Sequence, residues 1–197
     1  MKTGSYFMSV AAAVAGLALV TQANADVYSG GTVTFQYYSY GGTYDSVGSP
    51  STFATPGSDT FLAYFTVSVS GDQITYTYLN DTTWSPSATS LNSGGLYVDN
   101  GAVIYSDSGV PPITSVKIDP ASMLGSSGFN ASDVTFNSGA VAVTWMNQSF
   151  AAGDTVILDV NSVPEPASWT LMILGIGGLG ASLRLSAARR RGACQAG

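Results

Sequence analysis

The chain has no histidine and one cysteine, Cys194, in 197 residues. Without histidine, Ser-His-Asp and Cys-His mechanisms are excluded, and so are histidine-ligated metal sites. A single cysteine cannot form an internal disulfide, so the fold is not a disulfide scaffold. Glu165 is the only glutamate, so a paired-carboxylate hydrolase would have to use two aspartates. We therefore expect no catalytic residue and no cofactor, and predict that the protein is not an enzyme.

Charged side chains are also scarce, at 9% of the residues, where about 25% is usual for globular proteins. Between residues 26 and 163, Lys117 faces eleven aspartates, which gives this stretch a formal charge of −10. Such an acidic segment should repel nucleic acid and anionic headgroups. Cations and neutral sugars remain as possible ligands.

The N-terminus has the pattern of a cleavable secretion signal. Lys2 is followed by an apolar stretch at residues 8–20, and Ala23 and Ala25 form a small-x-small cleavage site before Asp26. The apolar stretch is short for a stable crossing of a ~30 Å hydrocarbon core. We predict a signal peptide over residues 1–25, recognised by the export machinery.

The C-terminus contains a second apolar segment. Residues 166–183 carry no charge, and as a helix they would span about 27 Å, a minimal membrane crossing. The cluster of Arg189, Arg190 and Arg191 then acts as a stop-transfer signal on the cytoplasmic side. We predict a transmembrane helix over residues 167–184, a cytoplasmic extension over residues 192–197, and an outside-to-inside orientation.

A specific motif precedes this helix. Residues 163–180 read Val-Pro-Glu-Pro-Ala-Ser-Trp-Thr-Leu-Met-Ile-Leu-Gly-Ile-Gly-Gly-Leu-Gly, and the arginine cluster follows. The segment 163–191 resembles the PEP-CTERM sorting signal of the Pro-Glu-Pro-x-x-Trp subclass, through Pro164, Glu165, Pro166 and Trp169. It departs from that pattern at Thr170, Leu171 and Ile176, which broadly keep the apolar character, and in the extension after the arginines.

The resemblance implies a bacterial protein held temporarily in the inner membrane. An exosortase would recognise Pro164-Glu165-Pro166, cleave nearby, and release the chain to the cell surface or the extracellular polysaccharide. The two prolines disfavour helix in the residues before them, so the motif should be extended and accessible.

The middle of the chain, residues 26–162, shows the period-two alternation of β-strands. Alternating apolar sets occur at Val33, Phe35 and Tyr37; at Phe61, Ala63, Phe65, Val67 and Val69; at Ile74, Tyr76 and Tyr78; at Val141, Val143 and Trp145; and at Val156, Leu158 and Val160. About eight short strands at regular spacing predict a mainly β fold, an antiparallel β-sandwich or jelly roll. A single helical turn is conceivable at residues 121–124.

Turn residues separate these sets. Gly71-Asp72 predicts a tight hairpin, and Asn137-Ser138-Gly139 a second one. Asn100-Gly101 predicts a type I′ hairpin turn between residues 96–99 and 102–105. Residues 41–56 and 85–95 are rich in Ser, Gly and Pro and predict loops.

Two kinds of binding site are candidates. Asp99-Asn100-Gly101 and Asp107-Ser108-Gly109 offer oxygen ligands for calcium, although solvated turn aspartates fit the same pattern. Aromatic residues cluster in two places, either as a sugar platform or as core side chains: Tyr37, Tyr38, Tyr40 and Tyr44; and Tyr76, Tyr78 and Trp84. The leading hypothesis is a non-catalytic surface or biofilm-matrix protein, and the alternative is a carbohydrate- or calcium-binding module.

Overall fold

Strands account for nearly all regular structure in the described part of the chain. The computed structural model describes residues 26–107, residues 109–162 and residue 176. The strands are β1 Thr32–Ser39, β2 Gly42–Thr43, β3 Ser51–Ala54, β4 Gly57–Phe61, β5 Phe65–Ser70, β6 Gln73–Tyr78, β7 Thr82–Thr83, β8 Leu91–Ser93, β9 Leu96–Val98, β10 Gly101–Ser106, β11 Ile113–Ile118, β12 Val134–Asn137, β13 Ala140–Thr144, β14 Ser149–Phe150 and β15 Thr155–Ser162. The predicted mainly β fold is therefore confirmed.

Two antiparallel sheets make up the body. The first has the order β12-β13-β10-β1-β2, with β3 also pairing with β1. The second has the order β11-β15-β6-β5-β4. Two further antiparallel pairs lie outside these sheets: the β8-β9 hairpin and the short β14-β7 pair, whose strands are distant in sequence.

The buried faces of the two sheets meet in one core. Alternate residues of β5, β6 and β15 point into it, because a strand with one buried face buries every second side chain. Contact across the layers is direct, since the ring centroids of Phe35 in β1 and Phe65 in β5 lie 5.9 Å apart. Each such side chain removed from water stabilises the fold by about 1.5–3 kcal/mol.

The outer face of the first sheet is covered as well. Leu96 and Val98 of β9 pack with Val103 of β10 and Ala142 of β13 in a second buried cluster. Strands β10 and β13 are consequently buried on both faces, which explains their nearly continuous apolar sequence.

Both the Gly71-Asp72 and the Asn137-Ser138-Gly139 hairpins are confirmed. Ser70 pairs with Gln73 across the first turn, and Asn137 pairs with Ala140 across the second. At the first turn Gly71 has φ +62°, a left-handed conformation that glycine adopts without steric cost.

The predicted type I′ hairpin at Asn100-Gly101 is wrong. β9 pairs with β8, whereas β10 pairs with β1 and β13, so the chain passes between layers at this point. Gly101 does not have a positive φ. A Cβ atom there would lie 2.0 Å from the carbonyl oxygen of Val143, so glycine is required for close strand packing rather than for a turn.

Residues 61–69 do not form one strand, as the alternation suggested. β4 ends at Phe61 and β5 begins at Phe65, with the three-residue turn 62–64 between them. Phe61 and Phe65 pair directly and both are buried. Cross-strand partners point to the same face of a sheet. Phe61 and Phe65 are therefore buried on one face, as they would be in a single continuous strand.

Other expectations also need correction. Strands outnumber the predicted eight because short ones occur in both predicted loops, including β3 and β8. Residues 121–124 contain no helical turn; a 3-10 helix lies instead at Ala131–Asp133, capped by the side chain of Asn130. Within the described residues, no helix has both the length and the apolar character needed to cross a membrane.

Most residues of the predicted signal and sorting segments lie outside the described residues. These include Ala23 and Ala25, residues 163–166, Trp169, residues 189–191 and the predicted helix 167–184. Asp26 is exposed, and Val27 directly after it is buried in the core. The predicted cleavage site and domain boundaries stay predictions.

Candidate functional site

The aromatic residues flagged by the sequence divide into two groups. Core positions are taken by five of them, all of which are buried: Tyr37, Tyr38, Tyr76, Tyr78 and Trp84. Tyr40 and Tyr44 are 75% and 37% exposed and lie beside Tyr64, which is 41% exposed. The exposed rings thus converge on one place, while the buried ones stabilise the interior.

This place is a cleft of about 160 Å³, which we call the aromatic cleft. Its aromatic and apolar lining consists of Tyr37, Tyr40, Tyr44, Phe61, Leu62, Tyr64 and Trp84. Its polar lining consists of Ser39, Thr82, Thr83, Ser85 and Asn100. No lining side chain is an acid or a base, so the cleft is uncharged.

Three chain segments position the cleft. The end of β1 carries Tyr37 and leads into Tyr40, the β4–β5 turn carries Tyr64, and Trp84 follows β7. The turn is closed by a hydrogen bond of 3.1 Å from the Tyr64 amide to the Phe61 carbonyl. Since these segments are distant in sequence, no local motif could predict the site.

The floor of the cleft is a set of packed rings. Tyr37 stacks on Phe61 with ring centroids 4.4 Å apart, and it lies 5.5 Å from Trp84. Tyr64 lies 5.3 Å from Trp84 at the opening. Such contacts hold the rings in fixed orientations before any ligand arrives.

Asn100 ties the floor to the neighbouring loop. It accepts a hydrogen bond from the Tyr37 hydroxyl, and its Nδ2 donates to the Ser85 carbonyl at 3.0 Å. Burial, followed by the nearby hydroxyl groups of Tyr40, Tyr64 and Tyr44, raises the pKa of Tyr37 well above its usual value. Tyr37 is therefore a neutral phenol at physiological pH and is not suited to proton abstraction.

Two residues at the rim of the cleft have an unusual, left-handed backbone conformation. In the described residues, three non-glycine residues have positive φ, and two of them, Tyr40 at 56° and Leu62 at 50°, line the cleft. Bulky residues rarely adopt this region, and it costs of order 1–3 kcal/mol each. The Tyr40 amide is held in place by a 2.7 Å hydrogen bond to Ser87 Oγ.

The described candidate calcium side chains, Asp99, Asn100 and Asp107, make hydrogen bonds within the body. The Tyr97 hydroxyl donates one hydrogen bond that the two carboxylate oxygens of Asp99 share, at 2.9 and 2.8 Å. The Asn100 side chain is engaged as described. Asp107 accepts from Thr34 Oγ1 at 3.3 Å, while Ser108 lies outside the described residues. No group of three or more His, Cys, Asp or Glu side chains that could hold a metal ion occurs among the residues described.

The body has two distinct ends. Ser162, from which the C-terminal segment continues, lies at the same end as the β5–β6 turn, where the Val160 amide donates to the Asp72 carbonyl at 2.7 Å. The first described residues also lie at this end, since the Tyr28 amide donates a hydrogen bond of 2.7 Å to the Gly71 carbonyl. We call this the tail end.

The aromatic cleft lies at the opposite end. Phe61, Phe65 and Tyr78 form a row of paired residues there, and the Tyr78 amide donates to the Asp154 carbonyl just before β15 begins. Strand β15 has eight residues, so at about 3.3 Å per residue it separates the two ends by roughly 23 Å.

The segment that begins at Ser162 indicates how the protein is exported. Residues 162–191 match the family model of the PEP-CTERM protein-sorting motif. The chain carries a PEP-CTERM sorting motif. The motif marks an exported bacterial protein that exosortase recognises and that passes by way of the membrane to the cell surface.

The PEP-CTERM match covers the sorting segment and none of the body before residue 162. No curated protein and no solved structure matches this chain. The role of the β body therefore has to be argued from its own geometry.

Proposed function

We propose that this chain is a non-catalytic cell-surface or extracellular-matrix protein with a β-sandwich body, which exosortase releases from the inner membrane into the exopolysaccharide layer. The sorting motif at residues 162–191 carries the proposal. It lies immediately after the last strand of the body, so cleavage near Pro164-Glu165-Pro166 would release the two sheets together.

The chemistry of the body supports a role without catalysis. The aromatic cleft is uncharged, and its one buried phenol with a perturbed pKa, Tyr37, is held neutral. General acid–base chemistry needs a group that changes protonation near the working pH. The chain also contains no histidine.

A carbohydrate-binding module is the second candidate, because exposed aromatic rings line the cleft. The calcium-binding alternative has less support, since the Asp99 and Asn100 side chains are already engaged in internal hydrogen bonds.

Cell fractionation tests the sorting route. In cells with exosortase, we expect the chain outside the inner membrane, with a mass lacking both the signal and the C-terminal helix. In cells without exosortase, we expect it in the membrane with the tail intact. An intact tail in exosortase-positive cells would contradict the proposal.

A matched pair of variants localises the signal. Replacing Pro164, Glu165 and Pro166 with alanine should retain the chain in the membrane even when exosortase is present. Ser168→Ala, in the same segment but outside the Pro-Glu-Pro motif, should be processed normally. The absence of catalysis is tested separately, by incubating the released protein with extracted matrix polysaccharide and following the polymer's size distribution, which should not change.

A further inference from the structure

We propose that the aromatic cleft binds one ring of an uncharged saccharide chain, with the exposed faces of Tyr40, Tyr44 and Tyr64 as the stacking surfaces. This inference deepens the second candidate function, the carbohydrate-binding module, and rests on it. Binding by the cleft does not require sorting, so its failure and a failure of the sorting route are measured separately.

The lining has the two kinds of group that a sugar ring presents. A pyranose has apolar C–H faces and an equator of hydroxyl groups, which match aromatic faces and neutral donors or acceptors respectively. The cleft supplies the rings of Tyr40 and Tyr64 beside the exposed hydroxyl groups of Thr83 and Ser85. Hydroxyl groups both donate and accept hydrogen bonds, and so suit sugar hydroxyls in either role.

The charge distribution excludes an acidic sugar. No basic side chain lines the cleft, and Lys117, the only lysine in residues 26–163, lies in β11 at the sheet edge opposite β4. A uronate or sulfated polymer would meet no cation in the cleft and would approach a strongly acidic body, whose field repels anions.

The size of the cleft restricts the ligand further. Its volume of about 160 Å³ is about five times the ~30 Å³ share of one liquid water. It is also well below the ~300–1,000 Å³ of pockets that enclose a drug-sized ligand. A single ring of a longer chain fits this space, with the rest of the polymer outside.

The rim is built in a way that packing alone does not explain. Tyr40 combines a left-handed backbone with a side chain that is 75% exposed, so little core burial offsets its conformational cost. Hydrogen bonds from the Tyr40 amide to Ser87 and from the Gly41 amide to Ser90 nevertheless fix this loop. A backbone fixed in this way places the Tyr40 ring at the cleft before a ligand arrives, so less backbone freedom is lost on binding.

Binding is measured by isothermal titration calorimetry on the full chain purified in a zwitterionic detergent, since sugar-headed detergents would compete. The probes are uncharged gluco-, manno- and xylo-oligosaccharides, and an oligogalacturonate of equal length. We expect at least one uncharged probe to bind and the oligogalacturonate to bind at least about tenfold more weakly, a difference of 1.4 kcal/mol.

The variants separate stacking from folding. Tyr40→Asn removes the ring while keeping a residue that tolerates positive φ, and Tyr64→Ala removes the second ring. Each should weaken binding by about tenfold. Tyr40→Phe should bind within about twofold of the parent chain, because it keeps the stacking face.

Phe136→Ala is the matched control, since Phe136 is 37% exposed and does not line the cleft. It should leave the affinity unchanged, and circular dichroism melts verify that each variant folds. Three results would overturn the proposal: no binding of any uncharged probe, equal or tighter binding of the oligogalacturonate, or full affinity in both Tyr40→Asn and Tyr64→Ala.

Discussion

Gly101→Ala tests how closely the first sheet is packed. Gly101 pairs with Thr144 where β10 meets β13. An added Cβ would lie 2.0 Å from the Val143 carbonyl oxygen, 2.9 Å from the Val143 carbonyl carbon and 3.0 Å from the Thr144 Cα. All three are backbone atoms, so no side-chain rotation can relieve the overlap.

The expected cost follows from this geometry. The φ of Gly101 is not positive, so alanine meets no conformational penalty and gains about 0.4–1 kcal/mol through the unfolded chain. Overpacking that forces backbone shifts typically costs about 1–3 kcal/mol. The upper end of this range, less the gain through the unfolded chain, gives an expected net loss of about 2 kcal/mol in the free energy of unfolding.

Gly42→Ala is the matched control, because Gly42 also lies in a strand, has no positive φ, and has nothing within 4 Å of its added Cβ. Equilibrium denaturation gives the free energy of unfolding of both variants. Because both share the effect on the unfolded chain, the difference between them reports the cost of the atomic overlap at residue 101. A Gly101→Ala chain within about 0.5 kcal/mol of Gly42→Ala, the range of neutral surface changes, would refute the close-packing argument.

Other predictions concern pH and the second hairpin. Burial raises the pKa of Tyr28, Tyr37, Tyr76 and Tyr78 above the usual tyrosine value. The unfolded chain therefore loses these protons first, so the stability they contribute is complete below pH ~10 and falls above it, by up to ~1.4 kcal/mol per pH unit for each tyrosine. Tyrosinate absorbance should rise together with the loss of circular dichroism; ionisation in the folded protein would contradict this. Asn137→Ala should cost about 1–2 kcal/mol on denaturation, because it removes hydrogen bonds to Gly139 and Gly94, whereas Asn92→Ala at an exposed β8 position should change stability by less than about 0.5 kcal/mol.

Alternation in the sequence identified the strands whose one face is buried. In β5, β6 and β15, the apolar residues occupy every second position and enter the core. Alternation could not predict which strands pair, because it shows which side of a strand is buried and not which strand lies beside it. The error at Asn100-Gly101 arose in this way.

Strand β4 was missed for a different reason. Its sequence, Gly-Ser-Asp-Thr-Phe, has one buried hydrophobic residue, Phe61, and forms a strand because β5 pairs with it. The sequence likewise indicated only part of the aromatic cleft. Tyr40 and Tyr44 lie near each other in sequence, whereas Tyr64 and Trp84 come close to them only in the folded structure. A cluster of tyrosines indicated a site without indicating which rings would be exposed.

The position of the cleft connects the body to its sorting tail. Strand β15 runs from the cleft end to the tail end without interruption, and the matched sorting segment begins at its last residue. A membrane anchor attached after Ser162 would therefore hold the tail end nearest the bilayer. The cleft would open at the far end of the body, roughly 23 Å away by the rise of β15.

If the cleft binds saccharide, the protein can engage matrix polymer before exosortase cuts the tail as well as afterwards. The membrane-retained chain with the altered Pro-Glu-Pro motif should consequently bind the same uncharged probes as the released protein, and loss of binding on retention would contradict this arrangement.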